Sequence, residues 1–260
     1  MIYSTDPNVT DSPVIAWNAL TGTLSASSSA PNAPVSGLLN GFTTDPWRPA
    51  AMPATVTLSL PAPAPVSVVA FAGHDMATQG VTVIVERLVA GDWVTVRTVT
   101  PASDDPFMVS FPLVDAQGWR VRFTGDNTFR LAVLHFSRAL VFPSITRIQP
   151  PHVPLHRVSQ VELIGGSESS TGEFLQADTM RTGGQASISF SVQLPELMLS
   201  DNFEGFRRHF NSGRPFFIAC FPRHEPKDMG YVWRNGRGIE TPYQDAVYMA
   251  LEMEVSVYVR

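Results

Sequence analysis

The chain has 260 residues and a formal net charge of −5, with 44% hydrophobic and 16% charged residues, which predicts a globular protein of two domains. Its 18 basic residues are spread along the chain among 23 acidic ones, so we expect no nucleic-acid partner. Because the first twenty residues lack a basic and apolar leader, and no apolar run is long enough for a membrane span, we expect neither a secretory signal nor membrane insertion.

The first half of the chain consists of short runs rich in Val, Phe and Thr, separated by Pro and Gly. At 119–124, apolar residues alternate with Arg120, Arg122 and Thr124, as in a strand with one face in water. No useful stretch has a helical period, so an antiparallel β-sandwich is favoured. The predicted strands are 56–60, 66–72, 81–89, 93–99, 107–111, 119–124, 131–136 and 139–142.

A proline-rich segment at 142–155 marks the predicted domain boundary. Proline removes an amide donor and disfavours a helix ahead of it. We therefore predict one domain at 1–145 and a second at 146–260.

The second half predicts two long strands and one helix. Apolar and polar residues alternate at 185–194 and again at 247–259. Between them, 202–211 is predicted as a helix, with Asp201 at its start and Gly213 as its stop. Its apolar face would cover a sheet, because a helix of this length needs tertiary packing; that face comprises Phe203, Phe206 and Phe210.

Residues that could support catalysis are few. His152 and His156 have a metal-ligand spacing, but the prolines around them prevent a regular helix, so a pair of linker histidines is favoured over a metal site. Cys220 and His224 could form a nucleophile and base, yet Cys220 lies in an apolar run that favours a buried thiol. We expect no catalytic residue, no metal site and no cofactor, and the protein is not predicted to be an enzyme.

One polar constellation in the first half permits two interpretations. It comprises Asp45, Trp47 and Arg48, with His74 further along. In the structural interpretation, Trp47 plugs the end of the sandwich and Asp45 braces a loop. In the functional interpretation, the four residues form a shallow sugar site at the rim.

The first half also resembles a known family. The motifs at 38–41, 47–48, 72–75, 81–86 and 118–121 resemble those of a discoidin-type domain (coagulation factor 5/8 C, galactose-binding-like), over roughly residues 10–142. This resemblance implies a β-sandwich jelly roll in which variable loops at one end bind ligands.

The second half resembles a region of the tail proteins of tailed bacteriophages. The motifs are at 150–152, 172–175, 206–208, 214–217 and 230–233. The resemblance implies a β-sandwich with one helix, similar to tail-tube and distal-tail proteins.

The combined resemblance implies a structural tail-tip or distal-tail protein. It would be made in the host cytoplasm and located in the virion tail, where it forms a homo-oligomeric ring such as a hexamer. Its partners would be other tail proteins of the tube, hub, tip or fibre, and Arg207 and Arg208 on the outer helix face are the predicted subunit contacts. One alternative is a carbohydrate-binding module that attaches to a host surface glycan. Another is a glycan hydrolase, which needs a pair of carboxylates.

Overall fold

A computed structural model describes residues 1–5, 10–158, 160–168, 170–243 and 248–259, with side chains described for all of these except 160–168, 174–183 and 191–192. It confirms the mainly-β class predicted from the sequence. None of the described helices is long and apolar enough to cross a membrane.

The strands are β1 (Ile2–Ser4), β2 (Val14–Ala16), β3 (Thr23–Ala26), β4 (Ala54–Ala72), β5 (Thr82–Val89), β6 (Asp92–Val99), β7 (Phe107–Thr124), β8 (Val133–Ser137), β9 (Leu140–Val141), β10 (Gln160–Glu168), β11 (Phe174–Gln193), β12 (Phe216–Phe221), β13 (Glu225–Arg234) and β14 (Met249–Val257). The α-helices are α1 (Pro195–Met198) and α2 (Asp201–Asn211).

The first sheet bends over a single apolar core. Its strand order is β3-β4-β7-β5-β6, with β1 paired to β7 and β8 paired to β4. The long strands β4 and β7 pair along most of their length, so each contributes residues to both ends of the sheet. The sequence predicted each of them as two short strands, because prolines interrupt the apolar alternation at 61–65 of β4, and Pro, Asp, Gln and Gly interrupt it at 112–118 of β7. The largest fully buried side chains of this core are Trp47, Phe71, Phe107, Phe111, Trp119, Phe123 and Phe136.

A register shift changes which residues of β4 face this core. Val56 and Leu58 point into the core in the first part of the strand, and Val69 and Phe71 do so in the last part. The pairing with β7 is irregular between Val66 and Val68, and across this irregularity the core-facing positions change from even-numbered to odd-numbered residues. The apolar residues left on the outer face then pack against the second sheet; these are Val68, Ala70 and Ala72.

The second sheet has the strand order β10-β11-β14-β13-β12-β2-β9. Two of its strands come from the first half of the chain, because Ile15 of β2 pairs with both Ile218 of β12 and Leu140 of β9. The sheets therefore do not divide at the predicted boundary of residue 145. The first residue of the predicted strand 247–259 lies outside the described residues, Tyr248 is not part of a strand, and β14 begins at Met249.

The predicted helix is present as α2 and covers one face of the second sheet. Its three phenylalanines are fully buried, as expected. The N-cap is Ser200 rather than Asp201, since the Ser200 hydroxyl accepts a hydrogen bond from the amide of Phe203 at 3.3 Å. Gly213 follows the helix with a φ of +73°, which agrees with its predicted role as a stop.

The two sheets share a buried apolar contact. Many of the side chains on the first-sheet side are small, which allows the two sheets to approach closely. The cluster comprises Ile2, Ala16, Val68, Ala70, Ala72, Met108, Ala132, Val133, Phe217, Ala219, Met229 and Tyr231. The halves are thus packed along a common face, and a cleft opens beside it.

Candidate functional site

Trp47 lies in the core of the first sheet. It has no exposed surface, and its ring packs on Phe123 and Phe129. The indole N–H donates to the Ser28 carbonyl at 3.1 Å and to the Ser29 hydroxyl at 3.0 Å. A sugar ring cannot stack on this side chain, so the structural interpretation of Trp47 holds and its role in a rim site is corrected.

His74 is also buried, with its ring edge-on to Phe107 at 5.1 Å between centroids. It therefore cannot contact a sugar at the surface, which corrects its predicted role as well. Asp45 and Arg48 are exposed, and the Asp45 carboxylate lies 3.5 Å from the side-chain amide of Asn40. The fold does not bring the four predicted residues together as one exposed site. Ligand binding by Asp45 and Arg48 stays a prediction.

A cleft of about 600 Å³ lies beside the contact between the two sheets. Its lining comes from the segment after β2, from the loop at 38–42, from β8, and from the end of α2 with the turn that follows. Tyr231 closes one side by donating a 2.6 Å hydrogen bond to the carbonyl of Gly41. Burial raises the pKa of Tyr231, so its hydroxyl stays protonated and keeps donating.

Two aromatic side chains line the cleft from different segments. Trp17 is half-buried, and its ring lies 5.6 Å from His209 and 6.4 Å from Phe206. Its indole N–H is enclosed but has no acceptor among the described residues. Phe42 is 65% exposed, and its backbone amide donates to the Asn40 side chain at 2.7 Å. The cleft therefore offers partly exposed aromatic ring surface from two segments of the chain.

The charges in the cleft have one sign. Among the described lining residues none is acidic, while Arg214 is exposed and permanently cationic. Burial lowers the pKa of His209, and the charge of Arg214 lowers it further. The Nε2 atom of His209 lies 2.9 Å from the carbonyl of Pro215, so this nitrogen carries the proton in the neutral ring. The remaining polar lining includes Asn18, Thr21 and Asn40.

Sequence reasoning missed this cleft because its parts are far apart in the chain. Trp17 and Arg214 become neighbours only because β2 pairs with β12. The sequence did contain a partial indication of a site, since Trp17 and Asn18 directly follow a short apolar run.

The predicted subunit contacts lie on α2. The guanidinium of Arg207 forms two hydrogen bonds to the Glu204 carboxylate, at 2.7 and 2.8 Å. This pairing lowers the pKa of Glu204. Arg208 is largely exposed, with 74% of its side chain accessible. A role of Arg207 and Arg208 in assembly stays a prediction.

Comparison with known proteins identifies no family. No protein-family model matches the chain, and no curated protein does. Among solved structures, a pectin-binding carbohydrate-binding module is similar at a TM-score of 0.41 and 14% identity, covering 46% of this chain and 93% of that one. The family 32 module from C. perfringens NanJ, solved with galactose, has a TM-score of 0.40 and 20% identity, covering 45% and 93%. Chitosan-binding module 1 from a Paenibacillus sp. IK-5 chitosanase/glucanase has a TM-score of 0.40 and 22% identity, covering 46% and 97%.

Each of these similarities is confined to less than half of this chain. They give no support to the bacteriophage-tail hypothesis, which stays a prediction. The candidate site therefore depends on the geometry of the cleft itself.

Proposed function

We propose that the protein binds carbohydrate in the cleft lined by Trp17, Phe42 and Arg214, without catalysing a reaction. The observation that carries the proposal is the presence of two partly exposed aromatic rings beside polar side chains in one cleft. A sugar ring has an apolar C–H face and a rim of hydroxyls. Aromatic surface suits the face, and the exposed side-chain amides of Asn18 and Asn40 suit the hydroxyls.

The charge of the cleft favours an acidic sugar. A guanidinium can hold a carboxylate through two parallel hydrogen bonds, and Arg214 is exposed at the cleft. None of the described lining residues is a carboxylate that would repel a uronate. We therefore expect glycans that contain uronic acid to bind more tightly than their neutral counterparts.

Calorimetric titration of the purified chain with an acidic and a neutral oligosaccharide, for example oligogalacturonate and galactan fragments, tests the proposal. Trp17→Ala should weaken binding about tenfold or more, the scale of losing one well-packed aromatic anchor. Trp93→Ala is the matched control because Trp93 lies on β6, outside the cleft. Arg214→Gln should remove the preference for the acidic sugar.

Two results would overturn the carbohydrate proposal. One is the absence of binding across a broad glycan array that captures a known lectin. The other is binding that persists unchanged in Trp17→Ala.

Light scattering on the same sample tests the sequence-based hypothesis of a ring. A mass of six chains that becomes monomeric in the Arg207→Glu/Arg208→Glu variant would support it.

A further inference from the structure

Three potential metal ligands converge at the end of the β12–β13 hairpin. His152 comes from the proline-rich segment, Cys220 from β12 and Asp228 from β13. One ligand atom from each lies within 4.8 Å of those of the other two. The side chains of His152 and Asp228 are 9% and 1% exposed, and Cys220 is fully buried. From the sequence, His152 was considered as a metal ligand together with His156, and Cys220 as a nucleophile together with His224.

The fold holds this cluster in place from two sides. One carboxylate oxygen of Asp228 accepts the backbone amide of Leu155 at 2.8 Å, and the other lies 2.7 Å from Nε2 of His152. The pairing of Ala219 with Met229 sets Cys220 beside Asp228 on adjacent strands.

The cluster contains groups that ordinary packing does not explain. Asp228 is a buried carboxylate, and in the described part of the chain no Arg or Lys forms an ion pair with it. The Nδ1 atom of His152 is enclosed and has no hydrogen-bond partner among the described residues. Buried polar atoms are rarely left unpaired, and a buried charge is costly unless it is neutralised.

We propose that His152, Cys220 and Asp228 bind a zinc ion. Imidazole nitrogen, thiolate sulfur and carboxylate oxygen are the three donor types that zinc takes in proteins. A dication would neutralise one thiolate and one carboxylate, so the occupied cluster would carry no net charge. The Cys220 thiol loses its proton to solvent on binding, and three protein ligands leave one position of a tetrahedral ion for water.

The zinc ion would have a structural role. It would attach the proline-rich segment at 150–154 to β12 and β13.

Zinc content of the full-length chain tests the proposal. After incubation with excess zinc and exhaustive dialysis, elemental analysis should find about one zinc per chain in the wild type. Cys220→Ser and Asp228→Asn should bind zinc at least about 10–100-fold more weakly. His156→Ala is the matched control, because His156 is exposed, lies outside the cluster and should leave the zinc content unchanged.

Cobalt binding by the wild-type chain is a second test, and its result does not depend on whether the variants fold. Co²⁺ bound by the wild-type chain should give a thiolate-to-metal absorption band in the near ultraviolet, and zinc should abolish it. A wild-type chain that retains no zinc and shows no such band would overturn the proposal, as would zinc affinity that is unchanged in a folded Cys220→Ser protein. Circular dichroism establishes which variants are folded.

Discussion

The hydroxyl of Tyr231 donates a 2.6 Å hydrogen bond to the backbone carbonyl of Gly41, which lies 190 positions earlier in the chain. The bond joins a strand of the second sheet to the loop of the first half that carries Phe42. Tyr231 is almost fully buried, with 2% exposure, so water does not easily replace the bond. This single contact links the stability of the two halves to the shape of the cleft.

Tyr231→Phe should lower the free energy of unfolding by about 0.5–1.5 kcal/mol, because it removes the bond and leaves the Gly41 carbonyl without this donor. Urea denaturation measures the change. Tyr243→Phe is the control, since Tyr243 is 60% exposed and should change stability by less than about 0.5 kcal/mol. Equal stability of both variants and the wild type would show that the bond contributes nothing in solution.

Gly205→Ala should behave unlike an ordinary glycine replacement in a helix. Alanine normally stabilises a helix interior by about 0.5–1 kcal/mol relative to glycine. At this position of α2, a Cβ atom would lie 2.7 Å from the ring of Trp17. We expect the substitution to displace Trp17, change its fluorescence and weaken glycan binding, with no gain in stability.

The matched control for Gly205→Ala is the same substitution in a Trp17→Ala background. There the obstructing ring is gone, and the double variant should be more stable than Trp17→Ala by about 0.5–1 kcal/mol. If Gly205→Ala stabilises both backgrounds equally, the contact with Trp17 is refuted.

Glu86→Gln should destabilise the first sheet. The Glu86 side chain is 4% exposed and accepts hydrogen bonds from Arg120 at 2.6 Å and Arg122 at 3.3 Å. The arginines are partly exposed, which reduces the loss to about 1–3 kcal/mol. Urea denaturation checks this value. Glu204→Gln on the surface of α2 should have little effect, and a comparable effect there would argue against a special role for the buried carboxylate.

The structural features that depend on neighbouring residues could be predicted from the sequence. Alternation located most of the strands, and the spacing of three phenylalanines located α2, because both patterns repeat within a few residues. Pairing between distant segments leaves no such local signal. The addition of β2 and β9 to the second sheet, and therefore the position of Trp17 in the cleft, could not be predicted from periodicity.

Residue type alone also could not distinguish the two interpretations of Trp47. An aromatic residue beside charged ones is compatible with a ligand site and with a core position. The difference arises from the bridge between Trp47 and Leu131, which directs the indole toward Phe123 and Phe129. The cluster of His152 with Asp228 was missed for the same reason, since their separation of 76 residues is closed only by the fold.

His135 should make stability depend on pH. It lies in β8 with 6% exposure, and burial lowers its pKa to about 3, to which the charge of nearby His209 contributes. The unfolded chain takes up this proton near the ordinary histidine pKa of about 6.5, whereas the folded chain does so only near 3. The contribution of the neutral His135 ring to the free energy of unfolding is therefore fully present above about pH 6.5. It is lost at about 1.4 kcal/mol per pH unit as the pH falls toward 3.

His135→Phe should remove this dependence, because phenylalanine does not titrate and has a ring that can keep the edge-on contact with Phe217. The measurement is the urea midpoint between pH 7 and 5, a range that lies mostly above the carboxylate pKa values. The wild type should lose stability on acidification faster than His135→Phe. The exposed His224, changed to Gln, should leave the wild-type profile unaltered. Parallel profiles for the wild type and His135→Phe would show that His135 can be protonated without opening the fold.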